Sequence, residues 1–232
     1  TTIACDAIAR YKRLQGYDVV FISGVDEHGQ KIQSKAAELD LSPQTHCDLT
    51  ANDYRDLWNC WDISINSFIR TSCADHKNIV KEFFSGVHNS GDIVLGRQQG
   101  WYCIGCEEYK DIPENAMKPV CPIHQKELEW RDEENLFFKL TNYQSEIEDL
   151  IDKPGFIMPI SRRNEVSNFV KAGLKDFSIS RVNLNWGIPV PGYPGHTFYV
   201  WFDALVGYLT ALLAEGELTS LAKINDLEFN TT

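Results

Sequence analysis

"YDVVFISGVDEHGQ", residues 17–30, decides the fold. Its apolar run from Val19 to Ile22 does not alternate with polar residues, so "YDVVFISG" (17–24) reads as a strand buried on both faces. The run then stops at three ionisable residues in succession, Asp26, Glu27 and His28. Open α/β sheets bind ligands at the carboxyl edge of their strands, and this segment reads as such an edge. Three groups of this kind cannot all enter a core without a large desolvation cost. At least one is expected to face a cleft, where an acid could hold a substrate ammonium group by a charge-assisted hydrogen bond. The competing reading is a solvated turn that caps the next helix.

Upstream, "TTIACDAIARYKRL" (1–14) repeats Ile3, Ala7, Ile8, Tyr11 and Leu14 at helical spacing, and Gly16 marks the stop. The chain thus opens inside an element and reads as part of a longer protein. The tail "AKINDLEFNTT" (222–232) gives the same expectation. Downstream, a helix is predicted from about 31 to 39. Ser42 followed by Pro43 is an N-cap and first-turn proline for another running to about Trp61. "SINSFIRT" (64–71) is a second strand and "HKNIVKEFFSGVHNSG" (76–91) a helix closed by glycine. Strand, helix, strand, helix implies a parallel sheet with crossover helices.

Near Gly91 the character changes. "GDIVLGRQQGWYCIGCEEYKD" (91–111) holds short strands and glycines. "EENLFFKLTNYQSEIEDLIDKP" (133–154) resumes helical periodicity, and "SRRNEVSNFVKAGLKD" (161–176) is a further helix ended by Gly173. Pro189, Pro191 and Pro194 read as a linker rich in breakers, after which "HTFYVWFDALVGYLTALLAEG" (196–216) runs from a strand into an apolar helix. The organisation this implies has three parts. Residues 1–90 begin a Rossmann-like catalytic domain, 91–195 form an inserted module, and 196–232 return to the first domain.

The inserted stretch carries Cys103 and Cys106 as a C-x-x-C pair, and Cys121 and His124 as a C-x-x-H pair. A two-residue gap lets a tight turn aim both ligand atoms at one ion, and two such turns complete a tetrahedral set suited to zinc. With all four positions filled by protein, the ion would be structural, bracing a module too small to bury a good core. Two unrelated pairs that happen to sit close, or a redox C-x-x-C, are the alternatives. Cys5, Cys47, Cys60 and Cys73 are scattered and read as buried thiols rather than a disulfide framework. With no secretion signal or membrane-length apolar run, a reducing cytoplasm or organelle interior is expected.

The net charge of −11 argues against bulk coating of nucleic acid. A basic island survives at Arg162, Arg163, Lys171, Lys175 and Arg181. It could meet phosphates, although a solvated helix face explains most of it. In "FYVWFDALVGYL" (198–209) bulky residues alternate on both faces of an expected strand. Trp201, Ala204, Leu205 and Tyr208 then fit a strand-to-helix turn. Such an aromatic wall could grip a linear apolar or thioether side chain, or simply be core.

Seven stretches taken together resemble methionyl-tRNA synthetases, class I aminoacyl-tRNA synthetases: "GVDEHGQKIQ", "SFIRTS", "WYCIGCEEY" with "CPIH", "EENLFFKL", "RRNEVSNFVKAGLKDFSISR", "WGIPVPG" and "FYVWFDAL". They span most of the chain in the family's order. The resemblance implies an ATP-dependent ligase with Mg2+-bound ATP as co-substrate, which activates methionine and passes it to tRNA(Met). In it Asp26 would bind the methionine ammonium, and Trp201, Ala204, Leu205 and Tyr208 would line the side-chain pocket. Arg181 would serve activation through the substrate carboxylate or the neighbouring acid. Cys103, Cys106, Cys121 and His124 would hold the zinc of a connective insertion that bears on the tRNA acceptor end.

Departures from the family pattern also stand in the sequence. Cys73 replaces a common acid, Val25 stands where threonine or alanine is usual, and Leu205 where some members carry proline. Neither the HIGH nor the KMSKS signature occurs, and neither does the later segment with the remaining pocket residues. The expectation is therefore that these 232 residues alone do not activate methionine. Two other functions compete: another class I synthetase for an apolar amino acid, and a non-catalytic zinc module that binds RNA or a protein partner. The oligomeric state is open.

Overall fold

The computed structural model describes residues 1–182, 184–216 and 220–221. Helix α1 (Thr2–Leu14) is tied to the rest of the chain by its polar face. Asp6 accepts from the backbone N–H and hydroxyl of Ser64 and from Arg10. The Ser64 hydroxyl is the largest of these influences and holds the Asp6 carboxyl at about 2. Arg13 donates to Ser64 and Asn66, so two turns of α1 grip the approach to the second strand.

The first strand is narrower than its apolar run: β1 covers Ile22–Val25 rather than 17–24. It pairs in parallel with β2 (Ser67–Arg70), from Ile22 opposite Ser67 to Val25 opposite Arg70. Parallel neighbours need a crossover, supplied here by α2 (Gln30–Glu38) and α3 (Pro43–Cys60). Ser42 caps α3 as expected, its Oγ accepting from Thr45 N at 3.1 Å. Helix α4 (Ala74–Asn89) follows β2, and its N-cap residue Cys73 makes no side-chain cap bond.

An antiparallel sheet comes next. β3 (Ile93–Cys103) pairs with β5 (Glu129–Phe138) over ten registered positions. β4 (Glu108–Lys110) lies outside β3 and β6 (Phe177–Ser178) outside β5. The helical reading of 133–154 is thus corrected at its start. Glu133–Phe138 continue a strand, and helix α5 occupies only Gln144–Asp152. Six residues of helix-compatible sequence yield to a long ladder with β3, a tertiary term local periodicity does not contain. Helix α6 (Ile160–Lys171) ends before Gly173, whose φ of +96° makes the left-handed turn that closes it.

The chain then forms β7 (Ser180–Val182) and β8 (His196–Phe198), antiparallel to each other, and α7 (Val200–Ala214). Two expectations fail here. The proline stretch is no linker: Ile188 and Val190 are buried, and Pro189 bridges to Thr197. The aromatic run is strand only to Phe198, and its alternation ends because Val200 already begins a helix.

One core joins these elements. Val80 and Phe84 of α4 pack with Ile93, Leu136, Ile179, Ile188 and Val190, and with Phe198, Phe202 and Val206. Phe198 stacks on Phe202 at 5.2 Å between ring centroids. The second cluster holds only Cys103, Cys121 and Leu128 as buried members, too little to hold a module together by apolar burial alone. The architecture is α/β, and no helix among the described residues is long and apolar enough to cross a membrane.

Candidate functional site

The acids at the end of β1 separate into different environments. Glu27 is buried, its carboxylate receiving Arg70 Nε at 2.8 Å and the Ser72 hydroxyl, its backbone N–H donating to Thr71 Oγ1. His28 is buried too, with Nδ1 2.9 Å from Asp203 Oδ2. The solvated-turn reading fails for both. Asp26 alone of the three ionisable residues at this edge remains open, on the wall of a cavity of about 600 Å³. Loss of solvation around its carboxylate raises its pKa, and His28 opposes that shift.

Across the cavity stands one face of α7. Trp201, Ala204, Leu205 and Tyr208 are spaced at i, i+3, i+4 and i+7, so a single helical stripe presents all four. All four line the same cavity as Asp26. The opposite stripe, Phe202, Val206 and Thr210, enters the interior. Trp201 and Tyr208 remain 59% and 68% exposed. Large aromatic groups left open beside a carboxylate make a surface for a ligand with an apolar tail and a cationic head.

Arg181 does not line this cavity. It is buried in a smaller neighbouring hollow of about 220 Å³, with its guanidinium 4.0 Å from the Tyr199 ring centroid. Nη1 donates to Ser178 Oγ and Ser180 O, while Nε has no partner among the described residues. Glu107 and Val200 belong to both hollows and form the partition between them. The residues read for substrate therefore converge, and the arginine lies on the other side of a shared wall.

Glu107 was not foreseen. It follows Cys106 with φ of +56°, in the left-handed region. Its carbonyl accepts from the Tyr199 hydroxyl at 2.6 Å, and a Cβ on Gly29 would collide with its carboxylate. Burial raises its pKa. Lys31, Ile32 and Ile69 are further cavity residues the sequence did not single out. Asp203 did carry a signal: a carboxylate within an otherwise apolar helix must find a partner.

Cys103, Cys106, Cys121 and His124 offer ligand atoms that all lie within 4.8 Å of one another. His124 Nδ1 is 3.7, 3.3 and 3.7 Å from the sulfurs of Cys103, Cys106 and Cys121, and the last two sulfurs are 3.7 Å apart. Ligands at ~2.0–2.3 Å from a tetrahedral centre stand roughly 3.5–3.8 Å from each other, so these separations are close to those of a zinc site. Backbone N–H groups of Cys106 and His124 point at the sulfurs of Cys103 and Cys121. The His124 N–H is the largest influence lowering the Cys121 thiol to about 6, which favours the thiolate a metal needs. At Gly105 a Cβ would stand 2.7 Å from the His124 ring, so the knuckle closes only around glycine.

Comparison with known proteins gives this geometry a family. The profile of tRNA synthetases class I (M) matches residues 1–125 and 110–223. A methionine–tRNA ligase of Synechocystis is 55% identical over 223 residues, 95% of this chain and 42% of the relative. The chain belongs to the methionyl-tRNA synthetase family. An Arabidopsis thaliana relative, the chloroplastic/mitochondrial methionine–tRNA ligase, is 48% identical over 95% of the chain and 36% of its own length. Among solved structures, Mycobacterium tuberculosis methionyl-tRNA synthetase bound by methionyl-adenylate superposes with a TM-score of 0.83 at 37% identity. That match covers 90% of this chain and 42% of the other. The free form of the same enzyme gives 0.71 at 35% identity, covering 90% and 41%. The chain thus spans about two fifths of the methionyl-tRNA synthetases it matches.

Proposed function

We propose that this chain carries the methionine-binding and zinc-bearing part of a methionine–tRNA ligase. The observation that carries the reading is that Asp26 and the apolar stripe of α7 share one cavity. Asp26 would accept the substrate ammonium, and Trp201, Ala204, Leu205 and Tyr208 would enclose the thioether. A soft, linear side chain suits an aromatic and aliphatic wall. With the amino acid held at both ends, its carboxylate attacks the α-phosphorus of Mg2+-bound ATP and pyrophosphate leaves. The aminoacyl group of the adenylate then passes to the terminal ribose of tRNA(Met), releasing AMP. The residues described here contribute positioning and charge to this chemistry. In this reading Arg181 acts from behind the Glu107 partition, on the substrate carboxylate or on the neighbouring acid.

Residues 1–90 and 196–232 are assigned to a Rossmann-like catalytic domain and 91–195 to a connective insertion facing the tRNA acceptor end. Cys103, Cys106, Cys121 and His124 would hold a zinc ion that cross-links the insertion and takes no part in the chemistry. Cytoplasmic action is assigned, and the plant relative makes an organelle interior the second choice.

Isothermal titration of the zinc-loaded chain with methionine tests the reading. Binding is expected, with alanine much weaker. Asp26→Asn should lose about 2 kcal/mol, a roughly 30-fold drop, because a charge-assisted bond becomes a neutral one. Methionine affinity that is absent in the parent, or unchanged in Asp26→Asn, would overturn it.

A further inference from the structure

We infer that His28 and Asp203 are a positioning pair, setting the ammonium-binding acid against the side-chain wall of the same cavity. This deepens the proposed methionine site and rests on it. The two side chains come from segments 175 positions apart and are 1% and 0% exposed, with Nδ1 and Oδ2 at 2.9 Å. His28 stands two residues after Asp26. Asp203 stands two after Trp201 and one before Ala204, on the inward stripe of α7. A single hydrogen bond therefore ties the loop that carries the carboxylate to the helix that carries the apolar wall.

Other bonds pin that loop to the rest of the protein. Glu27 is held by Thr71, Arg70 and Ser72. Gly29 N donates to Trp186 O, the Trp186 indole N–H donates to Glu27 O, and its ring lies 5.6 Å from that of His28. Of the side-chain hydrogen bonds described for residues 26–29, only the one made by His28 reaches α7.

A buried imidazole–carboxylate pair is a poor way to stabilise a fold, since apolar groups of similar volume often do as well or better. It supplies direction instead. Nδ1 faces the carboxylate and acts as donor, so the ring is held in one tautomer and one rotation. Asp203, whose pKa burial raises, keeps Oδ1 without a partner among the described residues, as does His28 with Nε2. Tolerating two such atoms at the base of a substrate cavity is difficult to account for by packing alone.

Methionine titration of variants of the zinc-loaded chain separates positioning from packing. Asn places an amide nitrogen where Nδ1 stands, whereas Gln reaches to the Nε2 position. His28→Asn should keep methionine affinity within about threefold of the parent, and His28→Gln should lose roughly tenfold, a coupling usual within one polar network. In the His28→Gln background, adding Asp26→Asn should cost less than a third of what it costs in the parent, because the acid is already misplaced. Equal losses in His28→Asn and His28→Gln, or full additivity with Asp26→Asn, would overturn the inference while leaving the methionine site standing. If His28→Gln does not fold, Asp203→Asn decides. It keeps an acceptor for Nδ1–H and should bind within threefold, while a tenfold loss would mean that charge rather than placement matters. No methionine binding by the parent would remove both readings together.

Discussion

The cysteine–histidine knuckle and the cavity between Asp26 and α7 are built by opposite means. All four knuckle ligands fall within 22 consecutive residues, and two four-residue turns aim them. The cavity draws Asp26 from one end of the chain and Tyr208 from the other, on elements joined across the fold by the His28–Asp203 hydrogen bond. Metal ligation is a local property with a spacing rule behind it. A substrate cavity is a product of the tertiary fold, and no spacing within its sequence announces it.

Removing the metal is the largest perturbation that tests this contrast. Cys103→Ser, or a strong chelator, should take bound zinc from one equivalent to none and unfold the small cluster around Leu128, since site energies of ~10 kcal/mol or more reside in such ions. Hydrogen exchange should rise across 101–130 while the Phe198–Phe202 core stays protected. Exchange that rises equally in both would break the distinction. Because Glu107 walls the cavity, methionine affinity should fall in parallel, by less than in Asp26→Asn.

A milder probe is Gly105→Ala, which pushes a methyl group onto the His124 ring. Zinc affinity should drop roughly tenfold, the lower end of what disturbing a ligand's surroundings costs, with methionine binding nearly unchanged when zinc is saturating. Competition with a metallochromic chelator measures it. A change confined to methionine binding would reverse the expected locality.

The cavity responds to pH through Asp26. Its carboxyl is raised by loss of solvation, and only the ionised form attracts an ammonium group. Methionine affinity should therefore fall as pH drops through that raised value, above the range of an ordinary aspartate. For folding the sign is opposite. A group whose folded pKa exceeds its unfolded one favours the fold below the unfolded value and loses that contribution as pH rises. Asp26→Asn should then melt at or slightly above the parent temperature at pH 7 while binding less.

The smallest effect expected belongs to neither region. Cys73 occupies the N-cap of α4 without a cap bond, so Cys73→Asp should add about 1 kcal/mol of stability. Chemical denaturation would register it, and no gain would mean that α4 starts elsewhere.

What the sequence disclosed follows the same division. The knuckle was legible from C-x-x-C and C-x-x-H, and the parallel pair from the apolar run ahead of Asp26 together with the Ser42–Pro43 helix start. Strand β5 was not, because Glu133 to Phe138 obey a helix-compatible pattern until β3 pairs with them. Ile188 and Val190 were hidden among prolines for a similar reason: their burial is decided by α4, α7 and the sheet, none of them near in the chain. Asp26 and the wall of Trp201, Ala204, Leu205 and Tyr208 stood out from the residues themselves, and the family resemblance added the substrate. The grouping of that wall on one stripe of α7 could be counted from spacing once the helix was known to begin at Val200. Glu107 had no signal beyond its place after Cys106.

The bond between His28 and Asp203 also has a consequence in time. A ribosome making this chain releases the first side of the cavity long before the second, and contacts of such long sequence separation are slow to close. In the proposed reading, a nascent chain has nothing with which to grasp methionine until the stretch beyond position 210 has emerged. Methionine arriving after that would act as a late clamp, favouring the closed arrangement of two distant ends.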